Sequence, residues 1–125
     1  MNDENIIHCY TRAEAIADGV LVDVSEMARE ARFRYPVALT STVWNTYVEV
    51  PAGVECQDEI GRLWDILCML RYVVERSAGA RTIRFQLHVR NDNRHGLPPA
   101  VELKAVCGPN DDGSPCITVM MPAED

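Results

Sequence analysis

Lysine is almost missing from this chain: Lys104 stands alone beside eleven arginines. Paired cysteines are missing too. Cys9, Cys56, Cys68, Cys107 and Cys116 form an odd, scattered set without a CxxC spacing. Structural zinc wants ligands paired at short spacing, so no metal site is expected, and nothing else asks for a cofactor. No apolar run approaches the roughly 20 residues that a membrane span needs. The start, Met1-Asn2-Asp3-Glu4, is acidic and leads into only two aliphatics, the reverse of a secretory signal. Unpaired thiols without such a signal read as the reduced cysteines of a cytoplasmic protein.

With 125 residues and 14.0 kDa the chain suits one domain, 1–125, long enough for a hydrophobic core. Its 47% hydrophobic and 25% charged content is ordinary for a globular protein and argues against wholesale disorder. The net charge of −7 is unevenly placed. Residues 1–59 carry eleven acids and four arginines, whereas residues 60–125 carry eight charges of each sign. The chain accordingly reads as an acidic half of short elements, 1–55, and a half made of the long helix and the antiparallel sheet, 56–125. An acid-rich surface repels nucleic-acid phosphates, so direct nucleic-acid binding is not expected, and it attracts basic grooves. Excess acid can equally serve solubility alone.

Along the chain, Ile6 to Tyr10 is a short β-prone run. Thr11-Arg12-Ala13-Glu14 has the capping-box pattern, and the helix it starts should stop at Asp18-Gly19. Val20 to Val24 is β-branched and too short for a helix, which predicts a strand or extended segment. Ser25 is placed to cap a helix over 26–31, and Pro36 forces a break after it. Thr40, Ser41 and Thr42 offer caps for a further helix to about Val48 that buries Leu39, Val43, Trp44 and Tyr47. From Asp58 to Ser77, Ile60, Leu63, Trp64, Leu67, Leu70 and Val74 recur at helical steps. Arg71 lies about 40° from Leu67 on the helical wheel, inside the apolar arc, and must snorkel or pair with a carboxylate.

After that helix the period becomes two. Ile83, Phe85, Leu87 and Val89 alternate with polar residues, as do Val101, Leu103, Ala105 and Cys107. Cys116 to Met121 reads as a last strand. The expected fold is α+β: short capped pieces, then one long amphipathic helix on a three-stranded antiparallel meander.

No catalytic constellation stands out. His88 and Cys107 fall on neighbouring strands, but the alternation gives His88 to the polar face and Cys107 to the core face, which separates them. Adjacent His8 and Cys9 point to opposite faces, and Cys68 reads as a small buried hydrophobe. Arg84, His88 and Arg90, with Arg81, Arg94 and His95 nearby, form a possible basic patch or an ordinary solvated sheet face. Asp111-Asp112 and Glu124-Asp125 read as solvated carboxylates in a turn and at the end of the chain. Candidates for binding a partner are the acids Glu14, Asp18, Asp23, Glu26 and Glu30. Arg12, Arg62 and Arg71 are candidates for a polar pocket or a buried ion pair.

Several stretches carry a resemblance: Tyr10-Thr11-Arg12-Ala13, Asp18 through Ser25, Ala28 to Ala31, Tyr35 to Thr40, Gly61 to Asp65 and Leu103 to Pro109. They resemble a domain family of unknown function associated with plasmids, integrative elements and phages of high-GC bacteria. The excess of arginine over lysine agrees with such a host. The resemblance transfers no catalytic residue. It implies a small acidic protein that binds host machinery, with a host protein or nucleoprotein complex as partner and anti-CRISPR or other anti-defence inhibition as its action. A small enzyme with a pocket around Arg71, or an accessory or scaffolding protein of element maintenance, are the competing expectations.

Overall fold

Thr11 starts the first described element as its spacing requires. In the computed structural model, which describes residues 10–77 and 79–125, its hydroxyl accepts the N–H of Glu14, and the Glu14 carboxylate receives the N–H of Thr11. This reciprocal capping box opens helix α1, Arg12–Ala17, and Gly19 follows with a left-handed φ of 78°. The chain then forms β1 (Leu21–Asp23), α2 (Ser25–Glu30), β2 (Val37–Thr40) and α3 (Ser41–Val43). A wider π-turn over Trp44–Val48 continues α3 and closes with the Glu49 N–H on the Trp44 carbonyl. Helix α4 (Glu59–Arg76) and strands β3 (Thr82–His88), β4 (Ala100–Pro109) and β5 (Pro115–Met120) complete the described elements. The β-prone run ending at Tyr10 lies almost wholly outside the described residues.

The chain is α+β with one long helix, but the sheet differs from the expected three-stranded antiparallel meander. Among the described residues it has five strands in the order β1-β2-β5-β4-β3 and is mixed. Strand β2 runs parallel to β5, with Val37, Ala38 and Leu39 opposite Ile117, Thr118 and Val119. The other pairings are antiparallel. The acidic half therefore supplies two strands of the same sheet. Leu39 is buried on strand β2 and not on a helix. The reason is local: Val37, Ala38 and Leu39 are all inaccessible, because an inner strand covered on both faces shows no alternation.

Helix α4 lies on one face of the sheet. Its buried side chains, Leu63, Ile66, Leu67 and Leu70, meet Phe85, Leu87, Leu103, Ala105, Ile117 and Val119 in one core cluster that also takes in Ala28, Val37 and Leu39. The wheel's phase is off at the start of the helix. Ile60 and Trp64, expected inside, are 69% and 38% exposed, and Arg62 occupies the buried position at 5%. Cys68, expected to be buried, is exposed; Cys116 is buried, and its thiol is pushed up by that burial. On the opposite face, Arg12 donates to the Thr118 hydroxyl at 2.6 Å and to the Ile117 carbonyl at 2.8 Å, fixing α1 to the sheet.

Three further expectations change. Ser25 does not cap α2; its hydroxyl donates to Asp23 at 2.6 Å and receives the Val37 N–H at 3.1 Å, tying β1 to β2. Asp111 is not merely solvated, since its carboxylate receives the N–H groups of Arg12 and Ala13. Glu124 likewise receives the Thr40 hydroxyl at 2.8 Å and the Met121 N–H at 2.7 Å. Each acid satisfies a donor that the fold would otherwise leave open.

Candidate functional site

Helix α2 ends in an unusual way. The Arg32 N–H reaches the Arg29 carbonyl and the Phe33 N–H reaches the Ala28 carbonyl, the two bonds of a Schellman motif. The residue that donates the first of these bonds needs the left-handed conformation, where glycine is the common choice. Here it is Arg32, at φ 70°. Phe33 turns inward to the core, and Arg34 and Tyr35 remain exposed before Pro36 leads into β2.

Those residues form one wall of a cleft of about 720 Å³. The second wall is the end of α4, with Arg71, Val74 and Glu75, and the turn to Arg81. The β4–β5 hairpin closes the third side with Cys107, Pro109, Pro115 and Ile117. The floor is apolar, with Val74, Ile83, Ala105 and Ile117 contributing. Four arginines line it: Arg32, Arg34, Arg71 and Arg81. Arg71 is bound to Glu75 at 3.0 Å on its own helix. Among the described residues, Arg32, Arg34 and Arg81 have no hydrogen-bond or ion-pair partner for their guanidinium groups.

Most other arginines are engaged. Arg84 faces Glu102 at 3.6 Å, and Arg90 donates to the carbonyls of Arg94 and Gly96. The ring of His88 meets the Pro98 carbonyl at 2.8 Å. The basic patch of Arg84, His88 and Arg90 is thus occupied by neighbouring strand and loop atoms. Arg62 has no carboxylate partner among the described residues; it donates to the Val48 carbonyl at 3.1 Å, the Asn91 side chain at 2.6 Å and the Arg90 carbonyl. Its guanidinium is pushed below the ordinary value by desolvation. Arg12, Arg62 and Arg71 do not converge, for they serve three different junctions.

The acidic candidates divide in the same way. Asp18 holds the Tyr10 hydroxyl at 2.7 Å, Asp23 holds Ser25, and Glu14 belongs to the capping box. Glu26 and Glu30, one turn apart on α2, have no side-chain partner among the described residues. His88 and Cys107 are well apart: His88 pairs with Ala100, while the Cys107 N–H bonds to Arg81 at the other end of β3. Among the described residues no group of His, Cys, Asp and Glu is placed to hold a metal ion, and no helix is long and apolar enough to cross a membrane.

The cleft unites residues that sequence patterns keep apart. Spacing assigns Arg81 to the sheet and Arg71 to a polar pocket, and it gives Arg32 and Arg34 no role beyond a helix break. The alternation Arg32-Phe33-Arg34-Tyr35 is the available signal. An inward aromatic between two outward arginines marks a wall with a cationic rim.

Electrically, the three guanidiniums without a partner among the described residues dominate the cleft. Residues at or just after the C-terminal ends of α2 and α4 line it, and each helix end contributes at most about half a negative charge. The local balance stays positive within a chain of net charge −7. No curated protein and no solved structure matches the chain. A family model does match, over residues 1–125, and by it the chain belongs to the family of unknown function DUF6573.

Proposed function

We propose that this chain is a non-catalytic binding protein of a mobile genetic element, acting in the cytoplasm on host machinery as an anti-defence inhibitor, with the arginine cleft as its working surface. One observation carries the choice of surface: three of the four arginines without a partner among the described residues line the same apolar cleft. Guanidinium groups left unpaired beside apolar surface are a standing preference for an anionic group, which they bind bidentately. The association with mobile elements rests on the resemblance in sequence.

A carboxylate-rich face is the second reading, and Glu26 and Glu30 favour it because both are open to a partner. Glu14, Asp18 and Asp23 already serve the fold, so that face is narrower than the charge count implied. The enzymatic alternative around Arg71 would draw its proton-transfer group from Glu75, which Arg71 itself holds, or from Tyr35 or Cys107 of the same lining. An accessory role in element maintenance would use the same binding surfaces.

Affinity purification from a host carrying defence systems separates these readings. The full chain, an Arg34→Glu/Arg81→Glu variant and a Glu26→Lys/Glu30→Lys variant serve as baits. The cleft reading expects the arginine variant to lose its partner and the acid variant to keep it. The opposite pattern moves the interface to α2, and loss in neither variant removes both surfaces.

A further inference from the structure

We infer that the ligand of the arginine cleft is a nucleoside phosphate, with its flat body on the apolar floor and its phosphate oxygens held by Arg32, Arg34 and Arg81. The inference rests on the reading that the cleft is the working surface toward host machinery, and it makes the group that enters a nucleoside phosphate bound by that machinery rather than a segment of its protein or nucleic acid. The cavity of about 720 Å³ lies within the range of small-molecule sites. A bare phosphate would leave the floor of Val74, Ile83 and Ile117 wet, and a purely apolar ligand would leave three guanidiniums unanswered. A molecule that joins a planar apolar body to several anionic oxygens satisfies both.

The walls argue against an extended peptide. The backbone N–H groups of Arg32, Phe33, Ser77, Ala80, Cys107 and Ile117 are all bonded within the protein. A peptide main chain laid in the cleft would find those donors taken, so recognition falls on side chains. A polymer of phosphates also differs from a single one. It would meet the acidic surface of the whole chain, whereas a small anion meets mainly the charges within about 10 Å.

Arg32 supplies an independent observation. A non-glycine residue with positive φ is uncommon and costs stability, and such outliers cluster where a ligand needs them. The Schellman position would accept glycine without that cost. Arginine there carries its guanidinium to the cleft, where it has no other partner among the described residues. The site keeps the charge at the expense of the helix end.

The test is isothermal titration calorimetry on the full chain at low salt with ATP, GTP, CTP, UTP, adenosine and tripolyphosphate. A nucleoside triphosphate should bind about tenfold or more tighter than tripolyphosphate, and adenosine should bind weakly or not at all. Arg34→Gln and Arg81→Gln should each weaken the nucleotide about tenfold. Arg32→Gly should raise Tm by about 2–5 °C while weakening the nucleotide similarly, so misfolding cannot explain the loss. Tripolyphosphate binding as tightly as the nucleotides, no nucleotide binding up to millimolar concentration, or undiminished affinity in Arg32→Gly would each overturn the inference. If nucleotides fail while partner capture still depends on Arg34 and Arg81, the cleft remains the working surface and only the ligand class falls.

Discussion

Asp111 caps a helix that begins about a hundred residues earlier, its carboxylate receiving the backbone N–H of Arg12 at 2.8 Å and that of Ala13 at 3.0 Å. Arg12 answers from the same helix by donating to Thr118 and Ile117 on β5. The two residues form a crossed tie between α1 and the β4–β5 hairpin, one acting through backbone donors and the other through its side chain. Replacing Asp111 by alanine should cost about 1–2 kcal/mol, as for the loss of a helix cap. Thermal unfolding reads the loss, and amide exchange should accelerate in residues 12–17 while α4 stays protected. An unchanged exchange rate in α1 would show that the tie does not hold it.

The neighbouring acid gives a pH test. Asp112 receives the hydroxyl of Ser114 at 2.5 Å and its N–H at 3.0 Å, and these bonds hold its carboxyl below the ordinary value of 3.8. A depressed carboxyl stabilises the fold above the ordinary value, and that contribution disappears as pH falls through the lower folded value. Asp112→Asn should therefore unfold slightly more easily than the natural chain near neutrality. The difference should close in acid, below the ordinary value. Because Asp112 is exposed the gap will be small, and paired denaturant titrations across pH can resolve it. A gap that widens in acid would reverse the assignment.

Arg62 and Arg71 make a controlled pair on one helix. Arg62 is 5% exposed and joins the carbonyls of Val48 and Arg90 to the Asn91 side chain. Arg62→Met should cost about 2–4 kcal/mol, because it leaves several buried acceptors unsatisfied. Arg62→Lys should recover little, since one ammonium cannot span acceptors arranged for a planar fork. Arg71→Ala removes a largely solvated pair with Glu75 and should stay within about 0.5 kcal/mol. Urea unfolding of the three variants decides the matter, and equal losses at both positions would contradict it.

Two isoleucines test the phase of α4. Ile60 is 69% exposed and Ile66 is 1% exposed. Ile66→Ala should lose about 2–4 kcal/mol and Ile60→Ala under about 0.5 kcal/mol. Similar losses in urea unfolding would place Ile60 in the core.

Those isoleucines also show how far the fold is legible in the sequence. The helical period locates α4, and the two-residue period locates β3 and β4, because each buries one face only. Its limit appears at Arg62, where a charged residue takes the inward position and Ile60 is left outside. Periodicity assumes that polarity marks the outer face, and a guanidinium satisfied by backbone carbonyls breaks that assumption. Strand β2 escapes detection for the complementary reason, since Val37, Ala38 and Leu39 are buried on both faces and leave no period to read. The capping box at Thr11 and Glu14 is readable because all its partners lie within four residues. The cleft is not, because Arg32, Arg71 and Arg81 reach it from three separated segments. The alternation Arg32-Phe33-Arg34-Tyr35 marks one wall only, and the left-handed turn at Arg32 that aims it is not written in residue spacing.

Strand β5 occupies the middle of the sheet and yet comes last of the strands in sequence. A chain leaving the ribosome can pair β1 with β2, and later β3 with β4, but among the described strands only residues 115–120 join these two ribbons. Until they emerge each ribbon offers an open edge, the feature most prone to mispairing with other chains. The order of synthesis thus leaves a window of exposure that only the final strand can close. Stalling or truncation shortly before Pro115 should send the product to aggregation and proteolysis rather than to a partly working fold.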